Sequence, residues 1–391
     1  MPTTTLRNLA YRCALPFLSP SPKGQMSHQP DGHALNIYAY EHILTRHHVF
    51  GASLLLRNGA DYAQVHTSTT NPVHIATDST LYRVASITKM ATALVVLRLV
   101  EVQAFTLDDS VADHLPEGQR SPALREITLR QLLSHTSGLC DTPAYDKALR
   151  DGQTIHEVLS SDGVRTAEPG QRMIYCNFGF GLLGCMIEHA TDQSIAEAFS
   201  QRLFKPLNML ATMDASTLQA DQIMPVTRIL PYHKGQDVTI TALGRKPLRT
   251  PDPLRHFGHT AGAMYTNARS LSAMLDLVAN DGAVDGTQLI SPGLIQQMKT
   301  QHSFTGNASS PIRRYGLGLV ILDRPDLSGK KLFGHQGFAY GCVDGAFYEE
   351  ETRRQMIFLN GGCSEAREGR LGLCNKELLI WALQKEMPSW K

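Results

Sequence analysis

Tyr82-Arg83-Val84-Ala85-Ser86-Ile87-Thr88-Lys89, continued by Met90-Ala91-Thr92-Ala93-Leu94-Val95-Val96-Leu97, is the stretch around which this 391-residue chain is arranged. Leu81 to Val84 reads as a short strand. From Ser86 onward Ile87, Met90, Ala91, Leu94 and Leu97 recur at helical spacing, which predicts a helix. Serine is a favoured N-cap, so Ser86 is expected at the helix start, where backbone N–H groups lack partners. Lys89 follows three residues later, which sets both side chains on one face of the first turn. A serine beside an amine that sheds its charge in an apolar setting is a nucleophile with a base at hand. An ordinary cap followed by a surface lysine fits the same residues, so other parts of the chain must decide.

Moving outward, Gly51 to Arg57 reads as a buried strand, Asn58-Gly59 as a hairpin turn and Ala63 to Thr67 as the returning strand. Asp31 to His47 has the spacing of an amphipathic helix. Downstream, Thr128 is placed to cap a helix carrying Leu129, Leu132 and Leu133, which ends in a Ser-His-Thr-Ser-Gly turn. Asn177–Ala190, Ile195–Leu203 and Ala268–Ala279 are further helical patterns. Strands return with Tyr315–Leu322, Leu332–Gly337, Cys342–Tyr348 and Gln355–Asn360, and Leu371–Gln384 reads as a closing helix. Sheet material thus lies at both ends and helices fill the middle. The expected class is α+β, an α/β sandwich whose antiparallel sheet is flanked by terminal helices, with an all-α region inserted. Residues 31–85 and 305–391 would form the sheet domain and 86–304 the helical one, and residues 1–30 a disordered lead-in.

Composition narrows the function. Apolar residues make up 42%, charged residues 19%, and the net charge is +1. This is globular material with no bulk charge to draw nucleic acid or a membrane surface. No apolar run approaches the ~18 residues of a membrane helix. Arg12 and Pro16 interrupt the apolar core that a secretory signal needs, and Met26 is an alternative start. The seven cysteines are scattered with no C-x-x-C pair, which suits reduced thiols and a cytoplasmic location.

Several chemistries are absent as motifs. No G-x-S-x-G elbow, H-E-x-x-H, phosphate-binding loop or Rossmann fingerprint occurs. His256 and His259, three apart, belong to no metal-binding motif, so neither a metal nor another cofactor is expected. Two features join Ser86 and Lys89. Tyr175-Cys176-Asn177 stands at a helix start, after a Glu168-Pro169-Gly170 turn. A phenolate is favoured beside an ammonium, so such a tyrosine can take and return a serine proton, while Asn177 offers an amide to the lysine or to a substrate carbonyl. His335-Gln336-Gly337 lies on a strand, where glycine lets a ligand approach the backbone. A core tyrosine, a capping asparagine and a strand-end histidine would explain each singly.

In this order the motifs resemble those of the serine β-lactamase/penicillin-binding-protein superfamily, in particular the class C β-lactamases, family VIII carboxylesterases and D-aminopeptidase or DD-peptidase relatives. Ser86-Ile87-Thr88-Lys89 is similar to that superfamily's first motif, Tyr175-Cys176-Asn177 to its second, and His335-Gln336-Gly337 stands in the place of its third. The runs Thr128–Leu139, Ala261–Arg269 and Tyr315–Gly318 are also family-like, and the likeness covers about residues 35–385. It implies a β-lactamase/transpeptidase-like fold and a small-molecule ester, amide or β-lactam substrate. Ser86 would be the acylated nucleophile, Lys89 its activator and Tyr175 the general base and acid. Asn177, His335, Gly337 and Phe338 would line the substrate cleft, with the Ser86 and Phe338 N–H groups as oxyanion hole.

The third motif departs from the superfamily's Lys-Thr/Ser-Gly. His335 replaces the lysine that meets a substrate carboxylate, and Gln336 replaces the hydroxyl. A neutral imidazole is a weaker anion anchor, which points toward esters or small amides, with weak β-lactam hydrolysis at most. Arg313 and Arg314, just upstream, are candidates to restore anion binding. A penicillin-binding or scaffold homologue with little turnover is the non-enzymatic alternative, and a D-aminopeptidase or DD-peptidase the enzymatic one.

Overall fold

A computed structural model describes residues 23–29, 35, 37–67, 69–70, 73–226, 247–305, 312, 314–327, 329–339 and 341–383. Strand β1 (Gly24–His28), helix α1 (Ile37–Arg46) and the hairpin of β2 (Ala52–Asn58) and β3 (Asp61–Thr67) come first. A short strand β4 (Tyr82–Arg83) leads to helix α2 (Thr88–Glu101). The middle of the chain is helical and loop-rich. It includes α3 (Leu129–Leu133), α4 (Asn177–Thr191) and α5 (Ala268–Ala279), with β5 (Ala211–Thr212) and β6 (Tyr265–Thr266) joining β4 in a small sheet. Longer strands then return as β7 (Ser303–Phe304), β8 (Arg314–Tyr315), β9 (Val320–Leu322), β10 (Leu332–Ala339), β11 (Cys342–Glu349) and β12 (Gln355–Asn360). A last hairpin, β13 (Arg367–Glu368) and β14 (Leu371–Gly372), runs into α6 (Leu373–Leu383).

Nine strands form one antiparallel sheet in the order β1-β3-β2-β12-β11-β10-β9-β8-β7. The two ends of the chain meet inside it, with Leu56 of β2 opposite Met356 of β12. Because side chains alternate across a strand, one face presents Leu55, Phe333, Ala346 and Ile357 to the core shared with α2 and α5. The other presents Leu54, Leu56, Phe347 and Phe358 to Tyr40 and Leu44 of α1 and to Leu378 and Leu379 of α6. Burying each such side chain is worth roughly 1.5–3 kcal/mol, so both faces fix the register. Helix α2 lies between the sheet and the middle region and is buried nearly all round, Lys89 included, as expected for a helix with apolar residues on every side.

Three expectations are corrected. Residues 24–28, inside the anticipated disordered lead-in, form β1, with Met26 paired to Val65. Ser86 is not an N-cap: it sits in a 3₁₀ turn, Ala85–Ile87, and the helix proper starts at Thr88. The strand read over Tyr315–Leu322 is two short strands, because the chain turns between them at Gly318, whose φ is +65°. A Cβ there would also meet the backbone oxygen of Lys89 at 2.8 Å, so this turn presses directly on α2.

Candidate active site

The turn before α2 is held from both sides. The Val84 N–H donates to the Met264 carbonyl at 3.0 Å, and a Cβ on Gly337 would stand 2.4 Å from the Val84 oxygen. Glycine is therefore required where β10 crosses this turn. Squeezed between these neighbours, Ala85 adopts φ 42°, a left-handed conformation that costs an alanine about 1–2 kcal/mol. Ser86 is half-buried, while every other residue from Thr80 to Leu97 is buried. The strained turn thus pushes one hydroxyl out of an otherwise sealed segment.

Beneath it Lys89 has no exposed surface. Its Nζ donates to the Asn177 Oδ1 at 2.7 Å, the Ala261 carbonyl at 2.8 Å and the Ser86 Oγ at 3.2 Å. Three acceptors match the three N–H bonds of an ammonium, so burial leaves none of its donors without a partner. The same Nζ lies 4.9 Å from the centroid of the Tyr175 ring. The Tyr175 hydroxyl makes no hydrogen bond with a described residue.

Asn177 is oriented by a residue that local sequence does not announce. Asp141 accepts the Asn177 Nδ2 at 2.7 Å and the N–H groups of Asn177 and Phe178 at 2.7 and 2.9 Å. Its carboxylate closes the N-terminus of α4, where negative charge is favoured, and turns the Asn177 carbonyl toward Lys89. Cys176, rather than Asn177, occupies the cap position, accepting from the Gly179 N–H at 3.3 Å. The capping explanation for Asn177 therefore fails. The expected Thr128 cap is present as a capping box with Gln131, and it places His135 under Tyr175, ring centroids 4.2 Å apart. His135 is itself left-handed at φ 60°, and its Nδ1 accepts the Cys176 N–H at 3.2 Å. Burial first, then the charge of Lys89, hold its pKa well below the ordinary imidazole value.

On the sheet side, β9 pairs with β10 only as far as Gly334. Among the described residues the edge from His335 to Ala339 has no strand neighbour there and lies against the turn that carries Ser86. His335 is 2% exposed. Its Nδ1 lies 2.6 Å from the Gln336 carbonyl, which can only accept, so Nδ1 carries the proton. Nε2 then accepts from the Tyr315 hydroxyl at 2.7 Å. Burial, and the Lys89 charge next, push its pKa from 6.5 down to about 3. His335 is thus neutral, with both nitrogens occupied.

Gln336 points to the other face of the sheet. Its amide NH₂ donates to the Arg370 carbonyl, and its oxygen accepts the Gly372 N–H at 3.1 Å. It does not stand where the third-motif hydroxyl was expected. Arg314 is ion-paired with Asp323, and Arg313 lies outside the described residues. A guanidinium that does come near is that of Arg370, whose central carbon lies 4.7 Å from the Tyr175 ring centroid.

Ser86, Lys89, Tyr175 and Asn177 are therefore brought together on the helical side, with His335, Gly337 and Phe338 opposite on β10. Asp141, His135, Tyr315 and Arg370 are the site residues that sequence reading missed. The first three belong to runs singled out for other reasons or lie next to them, and Arg370 carries no local signal. His256, for its part, is 2.8 Å from Glu188 through the tertiary fold, and no group of three or more candidate metal ligands exists among the described residues. No described helix is long and apolar enough to cross a membrane.

A family model described as Beta-lactamase matches residues 39–359. The chain is 28% identical over 322 residues to penicillin-binding protein 4 of Amycolatopsis lactamdurans, covering 80% of this chain and 81% of that one. Among solved structures, a D-amino acid amidase from Ochrobactrum anthropi SV3 superposes with a TM-score of 0.68 at 23% identity, over 88% of this chain and 96% of the amidase. A penicillin-binding protein homologue from Pyrococcus abyssi, described as octameric, superposes at 0.64 with 24% identity, over 82% and 71%. These likenesses support the β-lactamase/transpeptidase-like fold.

Proposed function

The chain belongs to the Beta-lactamase family, and on that premise we propose that it is a serine hydrolase working through an acyl-enzyme on carboxylic esters or small amides. One observation carries the reading: a fully buried Lys89 ammonium whose three donors are shared among Ser86, Asn177 and a backbone carbonyl. Burying a cation is costly, and a structural role would not require one of its bonds to go to the single half-exposed hydroxyl of the segment.

In the proposed reaction the Ser86 Oγ attacks the substrate carbonyl carbon and its proton passes to Tyr175. Lys89, beneath the tyrosine ring, compensates the phenolate this step requires. The backbone N–H groups of Ser86 and Phe338 receive the oxyanion. Collapse expels the alcohol or amine, which takes the proton from Tyr175. Water then cleaves the Ser86 ester by the same route, releasing the acid and restoring the hydroxyl. Asn177 holds Lys89 and faces the cleft, and Gly337 keeps the strand close to the nucleophile. Since His335 is neutral and engaged on both nitrogens, it offers β-lactams no lysine-like anchor, and their turnover is expected to be slow.

Rapid mixing with p-nitrophenyl butyrate tests the proposal. A burst equal to the enzyme concentration is expected, absent in Ser86→Ala. A stable adduct with a fluorescent penicillin and no ester turnover would favour a binding protein instead.

A further inference from the structure

His135 and Asp141, from one loop after α3, take up the backbone that carries Tyr175 and Asn177. The His135 carbonyl accepts the Ile174 N–H at 2.8 Å, and its Nδ1 accepts the Cys176 N–H at 3.2 Å. Asp141 takes the next two, its Oδ1 accepting the Asn177 N–H at 2.7 Å and the Phe178 N–H at 2.9 Å. Its Oδ2 has a different partner, the side-chain NH₂ of Asn177, at 2.7 Å.

A side-chain amide has one accepting end and one donating end. On one side Asn177 meets the Lys89 ammonium, which only donates, and on the other the Asp141 carboxylate, which only accepts. Both neighbours therefore require the same orientation, carbonyl toward Lys89 and NH₂ toward Asp141. Among the described residues no carboxylate bonds Lys89 directly, since its partners are Ser86, Asn177 and the Ala261 carbonyl. The Asn177 amide thus links the buried cation to the exposed carboxylate of Asp141, and hydrogen bonds in such a chain polarise one another.

On the acyl-enzyme reading above, which this deepens, we infer that Asp141 is a positioning residue for acyl transfer, acting on Lys89 through the amide of Asn177. Asp141→Asn separates this role from helix capping. The two backbone N–H groups hold an accepting oxygen at the Oδ1 position, so the new NH₂ falls at Oδ2 and confronts the NH₂ of Asn177. Whichever way Asn177 then turns, one donor faces another. Asp141→Ala removes the backbone acceptor as well, but it leaves Lys89 unopposed in choosing the Asn177 orientation.

The test reads the rate constant of the p-nitrophenyl butyrate burst beside the urea-unfolding midpoint. Asp141→Asn should slow the burst about 10–10²-fold, the range of a hydrogen bond to a charged group, with little change in the midpoint. Asp141→Ala should acylate faster than Asp141→Asn yet unfold at lower urea, because α4 has lost its N-terminal acceptor. In an Asn177→Ala background, Asp141→Asn should slow the burst no further, since the amide through which Asp141 acts is gone. A merely structural residue would rank the two Asp141 variants alike in both measurements and would add its loss to that of Asn177→Ala. Either result overturns the inference, as does wild-type acylation in Asp141→Asn, and each leaves the hydrolase reading intact. If the wild type gives no burst and Ser86 carries no adduct, the hydrolase reading itself fails and the inference falls with it.

Discussion

Two serine–base arrays stand out among the described residues, and the one that looks more like a catalytic triad is not the one proposed as the active site. The Ser53 Oγ lies 2.7 Å from the His66 Nδ1, and the His66 Nε2 lies 2.7 Å from Asp78. By distance alone this is a Ser-His-Asp relay. Ser53 is only 2% exposed, however, and its oxygen also meets the Tyr82 hydroxyl at 2.9 Å. It lies on β2 with β3 and β12 on either side, paired with His66 and Leu359, so the neighbouring backbone amides belong to strand ladders. Ser86 has the less familiar proposed base, but it is half-buried rather than sealed and faces a strand edge without a strand partner among the described residues. A nucleophile needs space for a carbonyl and unspent donors across from it, and base geometry supplies neither.

The largest expected effect lies at the catalytic array. Ser86→Ala should lower ester kcat/KM by about 10⁴-fold or more, with no acyl adduct in the intact mass after substrate is added. Acylation persisting at another serine would break the comparison. Next, Tyr175→Phe should cost about 10²–10⁴-fold in kcat while fluorescence-detected unfolding is little changed. A variant as active as wild type would remove Tyr175 from the proton path.

Ser53→Ala reverses the pattern. Esterase kcat/KM should stay within about threefold, while stability falls by roughly 1–3 kcal/mol because His66 and Tyr82 each lose a buried partner. A loss of activity at unchanged stability would show that the sealed array takes part in chemistry after all.

The smallest effect concerns pH. His335 has a pKa of about 3 in the native state against 6.5 in an unfolded chain. Between those values the unfolded state binds the extra proton, so stability is lost as pH falls below about 6.5 and the loss levels off near 3. This single group should take away roughly 2 kcal/mol between pH 7 and pH 5. His335→Gln should flatten the urea-unfolding midpoint over that interval, and an unaltered pH slope would mean that His335 is not the neutral group described. His135, shifted in the same direction, adds to the wild-type slope and leaves a residual one in the variant.

What could be read from the sequence was local. The Asn58-Gly59 turn, the Thr128 cap, and the spacings of Ser86 to Lys89 and Tyr175 to Asn177 depend on neighbours within a few residues, and the sheet formed from both chain ends follows from where the strand-like runs lie. The misreadings are tertiary. The 3₁₀ turn at Ser86 results from Gly337 and Met264 pressing on Val84, each more than 170 residues away. Strand β1 escaped notice because Gly-Gln-Met-Ser-His has no apolar alternation, as an edge strand needs none on its open side. Asp141 reaches Asn177 across 36 residues and Arg370 reaches Tyr175 only through the folded hairpin, so neither spacing carries a pattern.

The pairing of Leu56 with Met356 has a consequence for synthesis. A ribosome must add 300 residues after the first partner before the second exists, and the anchored hairpin of Arg367 and Arg370 emerges later still. Contacts so distant in sequence form slowly. The strand edge facing Ser86 is made from those late residues, so a nascent chain carries Ser86 and Lys89 long before it carries the edge that packs against their turn.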